Sequence, residues 1–147
     1  MAGAAAKATA LGGYRLEDQV GFYLRRAAQR HAAIFAGQMT DALTPTQWAA
    51  LVKLAEFESL SQNLLGRETA MDAATIKGVV DRLLKRGFVA TAPDPEDARR
   101  MRVSITRNGL AAVERGTGPA AAITADTLKP LDAAERRQLV ELLRRIG

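Results

Sequence analysis

The segment DPEDARRMRVSIT, starting at Asp94, sets Arg99, Arg100 and Arg102 directly behind Asp94, Glu96 and Asp97. A guanidinium group stays charged at any physiological pH and presents a planar fork of donors, so the chemistry on offer is recognition of an anion rather than proton transfer. Pro93 and Pro95 forbid a regular helix here and would break a central strand, which makes the segment a loop. A solvated hairpin tip is the plain reading, and a loop built to reach a polyanion is the sharper one. Asp97 lies two residues before Arg99 and is placed to brace its guanidinium through a bidentate contact. An exposed pair of that kind adds little stability, so its value is orientation.

Other chemistries are closed by residue supply. The chain has no cysteine and a single histidine, His31. Disulfides, thiolate metal centres, iron–sulfur clusters and a Cys/His catalytic pair are therefore excluded. An enzyme would have to rely on carboxylates, Lys or Ser alone, and no nucleophile elbow, phosphate-cradling glycine loop or metal-ligand spacing is present. No catalytic residue, metal site or cofactor is expected. Lys and Arg number 21 against 16 Asp and Glu, for a net charge of +5, which favours a polyanionic partner. Hydrophobic residues make up 48% of the 147 and aromatics 5%, so the core must rest on Ala, Leu, Val and Ile. No apolar run approaches the ~18 residues needed to span a bilayer, and a cytoplasmic protein is expected. MAGAAAKATALGG, residues 1–13, reads as a loose tail rather than a signal peptide.

The elements that must position the loop follow from periodicity and caps. From Leu16, the apolar residues Val20, Tyr23, Leu24, Ala27, His31, Ile34 and Phe35 recur at three and four, as on a long amphipathic helix. Thr44 as N-cap, Pro45 at N1 and Gln47 at N3 open a helix running to about Phe57. Ser61 caps a helix of about two turns. Asp72 caps AATIKGVVDRLLKRG, whose Ile76, Val79, Val80, Leu83 and Leu84 form one stripe and whose Gly87 is a left-handed stop. FVATA and MRVSIT alternate as two antiparallel strands flanking the loop. Thr106 caps an Ala-rich helix that Gly116, Gly118 and Pro119 are expected to kink or break. Asp132 caps a last helix with Leu139, Leu142, Leu143 and Ile146 on one side.

A short helix, a tight turn and a longer capped helix make a helix-turn-helix, and the basic hairpin makes it winged. In such a domain the second helix enters the major groove with its N-terminal residues nearest the bases. Ala73, Ala74, Thr75, Lys77, Gly78 and Arg82 are expected to face outward. Ala73, Ala74 and Gly78 are small enough to let the backbone approach the duplex, while Thr75 and Lys77 can reach phosphate or base edges. Ser61, Gln62 and Asn63 suit phosphate contact at the preceding helix start. Arg99 is the residue expected in a narrow minor groove, with Arg100 and Arg102 on flanking phosphates or aspartate partners.

The segments LTPTQWAALVKLAE, LSQNLLGRETAMDAATIKGVVDRLLKRGFV and DPEDARRMRVSITRNGLAAVE resemble the multiple-antibiotic-resistance regulator (MarR) family, from about Leu16 to the end of the chain. The wing is the most specific match. The family usually shows Asp-x-Arg-Asp-x-Arg there; Asp94, Asp97 and Arg99 fit, and Glu96 stands at the first arginine position. The resemblance implies a mainly α fold with a small β-hairpin wing. Residues 44–106 would form the DNA-binding lobe, and 14–40 with 107–147 the dimerisation helices. It also implies a homodimeric repressor on a pseudo-palindromic double-stranded operator, released by a small molecule such as an aromatic acid or its coenzyme A thioester, in control of aromatic-compound catabolism. Candidate effector contacts are His31 and Phe35, one turn apart, with Trp48 and the cations Arg25, Arg26 and Arg30. The bland alternatives are a packed His31, a core Trp48 and a solvated arginine face. The rival for the whole chain is a winged module that binds an acidic protein without reading DNA sequence.

Overall fold

The computed structural model describes residues 2–147, so Met1 lies outside the described residues. Among these, seven α-helices and three strands run in the order α1 (Ala2–Leu11), α2 (Val20–Gln38), α3 (Pro45–Phe57), β1 (Ser59–Ser61), α4 (Gln62–Glu68), α5 (Ala73–Lys85), β2 (Val89–Pro93), β3 (Met101–Ile105), α6 (Arg107–Thr127) and α7 (Ala133–Ile146). Short 3-10 turns at Leu16–Asp18 and Thr40–Ala42 precede α2 and α3.

The capping residues act as their types require. Thr44 Oγ1 accepts from the N–H of Gln47 at 3.2 Å, and Gln47 Oε1 accepts from the N–H of Thr44 at 3.1 Å, a reciprocal capping box. Ser61, Asp72 and Thr106 each accept from the N–H three residues on, and Asp132 with Glu135 forms a second capping box. Gly87 takes φ +74° after α5, the left-handed stop expected of a glycine there.

Four expectations need correction. Residues 2–11 of the supposed loose tail form a helix, since six alanines and a leucine among them favour helix even where every described side chain is exposed. The wing is part of a three-stranded antiparallel sheet, order β1-β3-β2, because Ser59–Ser61 pairs with Arg102–Ser104. Three residues, Ser-Leu-Ser, are too short to show a period, so only their partner reveals the strand. Helix α6 runs unbroken through Gly116, Gly118 and Pro119. Its packing along α2 and α3 outweighs the one backbone hydrogen bond that proline removes. Leu84 leaves the stripe of α5 and is 42% exposed, while Ile76, Val79, Val80 and Leu83 are buried.

A single core runs through the chain from α2 to α6. Leu51 and Leu54 of α3, Leu65 of α4, the α5 stripe, Val103 of β3 and Ala112 and Ile123 of α6 all belong to it, with Phe35 from α2. Each fully buried Leu or Ile contributes about 1.5–3 kcal/mol. Helices α4 and α5 pack on each other and on the strands of the wing, and all draw on this core.

Candidate nucleic-acid interface

Helix α5 is anchored by its buried stripe, and the opposite face stays free. Asp72 Oδ1 accepts from the N–H of Thr75 at 2.7 Å, and the Thr75 bonds hold the Asp72 carboxyl below the ordinary carboxylate range. Ala73, Ala74, Thr75, Lys77 and Arg82 are all exposed, as their outward placement requires, and Gly78 is half-buried beside them. Lys77 Nζ lies 2.9 Å from Asp81 Oδ2, one turn along. That pair is exposed and weak, so Lys77 can leave it for a base or phosphate at little cost.

The turn joining α4 to α5 is tight because Gly66 is there. A Cβ on Gly66 would stand 3.1 Å from the Met71 carbonyl oxygen and 3.2 Å from Ile76 Cγ2. Ala70 in this turn adopts φ +54°, a left-handed conformation usually left to glycine.

The wing is built as a series of aspartate-centred turns. Asp94 is buried; its Oδ1 accepts from the N–H of Glu96 at 2.9 Å, and its own N–H donates to the Arg100 carbonyl at 2.9 Å. Asp97 braces Arg99 as its spacing suggested: Arg99 Nε donates to Oδ1 at 3.1 Å, Nη2 to Oδ2 at 3.3 Å and the backbone N–H to Oδ1 at 3.0 Å. Arg100 Nε lies 3.6 Å from the same carboxylate. The Arg99 side-chain bond is the chief reason that the Asp97 carboxyl is held below its usual range. Arg99 itself is 91% exposed, a cation already aimed and still free on its outer side. Glu96 contributes its backbone N–H to the turn, so the wing closes without an arginine at that position.

Arg102 does something the loop reading left open. Its Nε donates to Ser59 Oγ at 2.8 Å and its Nη1 lies 3.8 Å from Asp94 Oδ2, so it ties β3 to β1 and to the base of the wing. Ser59 was missed because its strand was missed; the alternation of Arg102 with buried Val103 was the available signal. The tertiary fold then brings separate candidates together. Ser61, Gln62 and Asn63 at the start of α4 share one cleft with Arg99, Arg100 and Met101 of the wing.

The candidate effector residues do not share a single pocket: Arg26 and Arg30 border one, His31 a second and Phe35 a third. His31 Nδ1 is hydrogen-bonded to Thr127 Oγ1 at 2.8 Å and lines an apolar groove with Tyr23, Leu24, Leu139 and Leu143. Phe35, its ring 6.3 Å from that of His31, is buried and faces a different cavity, with Met39, Leu43 and Pro45. Arg25 and Arg26 lie over the Phe22 ring, while Arg30 donates to the Thr127 and Asp126 carbonyls at 2.7 and 2.9 Å, closing the end of α6. Trp48 packs on Gly116, where a Cβ would come within 2.4 Å of its ring. Helical spacing puts the arginines, His31 and Phe35 near one another along α2, but Arg30 and His31 are engaged by the end of α6 while Phe35 turns into the core. Among the described residues no cluster of His, Cys, Asp or Glu could hold a metal ion, and no helix is long and apolar enough to cross a membrane.

Known proteins share this arrangement. Residues 43–101, from the start of α3 to the wing, match the MarR family model. The chain is 40% identical over 134 residues to the transcriptional repressor NicR of Pseudomonas putida, covering 90% of this chain and 85% of that repressor. A probable transcriptional regulator from Pseudomonas aeruginosa superposes with a TM-score of 0.87 at 53% identity, over 90% of this chain and all (100%) of that one. Bordetella bronchiseptica BpsR, whose DNA binding is regulated by 6-hydroxynicotinic acid, superposes with a TM-score of 0.86 at 40% identity, over 90% of this chain and 96% of its own. With a capped helix-turn-helix, a braced basic wing and relatives of this similarity, the chain belongs to the MarR family of DNA-binding transcriptional regulators.

Proposed function

We propose that this protein is a homodimeric repressor that binds a pseudo-palindromic operator and leaves it when a small aromatic acid binds. The observation that carries the DNA-facing part is the cleft that the polar start of α4 shares with Arg99 and Arg100 of the wing, next to α5, which packs on α4 and keeps its N-terminal residues exposed. Thr75 and Lys77 read base edges in the major groove, and Arg99 enters the adjacent minor groove. Ser61, Gln62, Asn63 and Arg100 hold phosphates, which fix register rather than sequence.

The dimer is supported by apolar faces that this subunit leaves open. Val20, Tyr23 and Leu24 of α2 and Val140, Leu142, Leu143 and Ile146 of α7 are all exposed, and among the described residues no side chain of α7 is buried. The groove between these helices, about 520 Å³ and almost wholly apolar, suits the same face of a second copy. The effector class is supported by the relatives, repression by NicR and regulation by 6-hydroxynicotinic acid in BpsR. It is also supported by a cavity of about 260 Å³ where α2 meets α3, between Ala32, Phe35, Ala36, Met39, Leu43 and Pro45. That volume suits a single aromatic ring; the nucleotide part of a coenzyme A thioester would have to lie outside it.

Fluorescence anisotropy on the intergenic DNA beside the gene, against scrambled DNA at two salt concentrations, tests the reading. Specific binding abolished by 6-hydroxynicotinic acid or another aromatic acid is the expected result. No preference over scrambled DNA at either salt would remove the regulator and leave a protein-binding winged module. Specific binding that no acid or thioester releases would remove the effector alone.

A further inference from the structure

The turn between α2 and α3 contains two successive non-glycine residues in the left-handed region, Asp41 at φ +57° and Ala42 at φ +49°. Thr40, beside them, buries a hydroxyl oxygen with no hydrogen-bond partner among the described residues. A strained turn persists only where its surroundings hold it, and here Asp41 is held from two sides. Arg115 of α6 grips its carboxylate in a bidentate contact, Nε to Oδ2 at 3.0 Å and Nη2 to Oδ1 at 3.1 Å. Arg86, the residue that caps the C-terminus of α5, donates through Nη2 to the Asp41 carbonyl oxygen. Arg86 in turn lies 4.7 Å above the ring of buried Phe88, at the root of the wing.

A chain of contacts thus runs from α6 through one aspartate to the end of α5 and the base of the sheet. These residues lie 45 and 74 positions from Asp41, so neither partner is imposed by local chain geometry. The clasp also adjoins the cavity between α2 and α3, because Ala42 and Leu43 line it. We infer that Asp41 is a positioning residue for DNA binding: with Arg115 and Arg86 it fixes the angle of α5 relative to the α2–α6 lobe. This rests on the operator-binding reading for what α5 contacts. Opening the clasp leaves the DNA-facing side chains in place but releases their common orientation.

Asp41→Asn suits the test, since asparagine keeps the shape and tolerates the left-handed conformation while removing the charge. Arg115→Gln cuts the contact from the other side, Arg115→Lys restores the charge without the fork, and thermal melts confirm that each variant folds. Hydrogen exchange on the free protein comes first. Amides of residues 73–86 should exchange faster in Asp41→Asn and Arg115→Gln than in wild type, with the Arg115→Lys protein between them. Anisotropy follows, on the intergenic DNA and on scrambled DNA. Specific affinity should fall about tenfold in either variant and no further in the double variant, as expected of residues acting through one contact. The salt slope should stay unchanged, because every phosphate-binding side chain is retained. Unaltered exchange in α5, or faster exchange with unaltered specific affinity, would overturn the inference. If wild type shows no DNA preference the operator reading fails, and the exchange result still decides whether the clasp holds α5.

Discussion

Arg99 stands out in solvent with its direction fixed before any DNA is present, which separates it from an ordinary surface arginine. Arg99→Ala should weaken binding most at sites with a narrow, A·T-rich minor groove, and equal weakening at all sites in an anisotropy series would contradict groove reading. Thr75→Ala or Lys77→Ala should instead relax base preference, at a cost of about 1–3 kcal/mol where the side chain makes a good hydrogen bond to a base edge, measurable on half-site variants. The pH behaviour of Asp72 and Asp97 follows from their partners. Asp72 is held low mainly by the Thr75 N–H and hydroxyl, and Asp97 mainly by Arg99. A carboxyl whose folded pKa is depressed supports the fold fully above its unfolded value, about 3.9, and loses that support as pH falls through the lower folded value. Their contribution to Tm should therefore be constant from pH 7 to about pH 4 and decline below that. Asp72→Asn, which cannot titrate, should show a shallower acid decline than wild type.

Among the elements, three small residues stand where the presence or absence of a Cβ is decisive. Gly109, in the first turn of α6, lies so near the backbone just before β2 that a Cβ would stand 2.1 Å from the Phe88 carbonyl oxygen. Backbone cannot yield as a side-chain tip can, so Gly109→Ala should destabilise by about 1–3 kcal/mol or more, read in a urea melt. Gly116→Ala should push Trp48 out of its seat and shift its emission to the red, a clean signal because it is the sole tryptophan. Ala70→Gly has the opposite sign. It relieves a left-handed alanine in the α4–α5 turn and should stabilise by up to about 1 kcal/mol. A Tm that falls in Ala70→Gly would mean that the turn derives more from the methyl group than from relief of strain.

At the scale of the whole molecule, the notable feature is how much apolar surface sits at one end. Leu143, in the groove between α2 and α7, is 42% exposed, and Ile146 is 69% exposed. On the dimer reading, Leu143→Asp should give a folded monomer by light scattering and a drop in operator affinity of several orders of magnitude, since two half-sites are no longer read together. An unchanged dimer would place the interface elsewhere.

What could be read from residue order alone was much of the short-range chemistry, though not the helix at Ala2–Leu11 or the Asp94–Glu96 turn. The caps at Thr44, Ser61, Asp72, Thr106 and Asp132, the stop at Gly87, and the Asp97–Arg99 brace all act within four residues, where spacing fixes geometry. These features delimit the helix-turn-helix and its wing, and so most of the side chains proposed to meet DNA. What joins distant segments was settled only in the folded chain. The strand at Ser59, the unbroken α6, the seat of Trp48 on Gly116, the engagement of Arg30 by the end of α6 and the Asp41 clasp each depend on a partner many residues away. A pattern along one helix tells which residues share a face but not what packs against it. That choice belongs to close packing of the whole core, in which each side chain's neighbours are set by every other element at once.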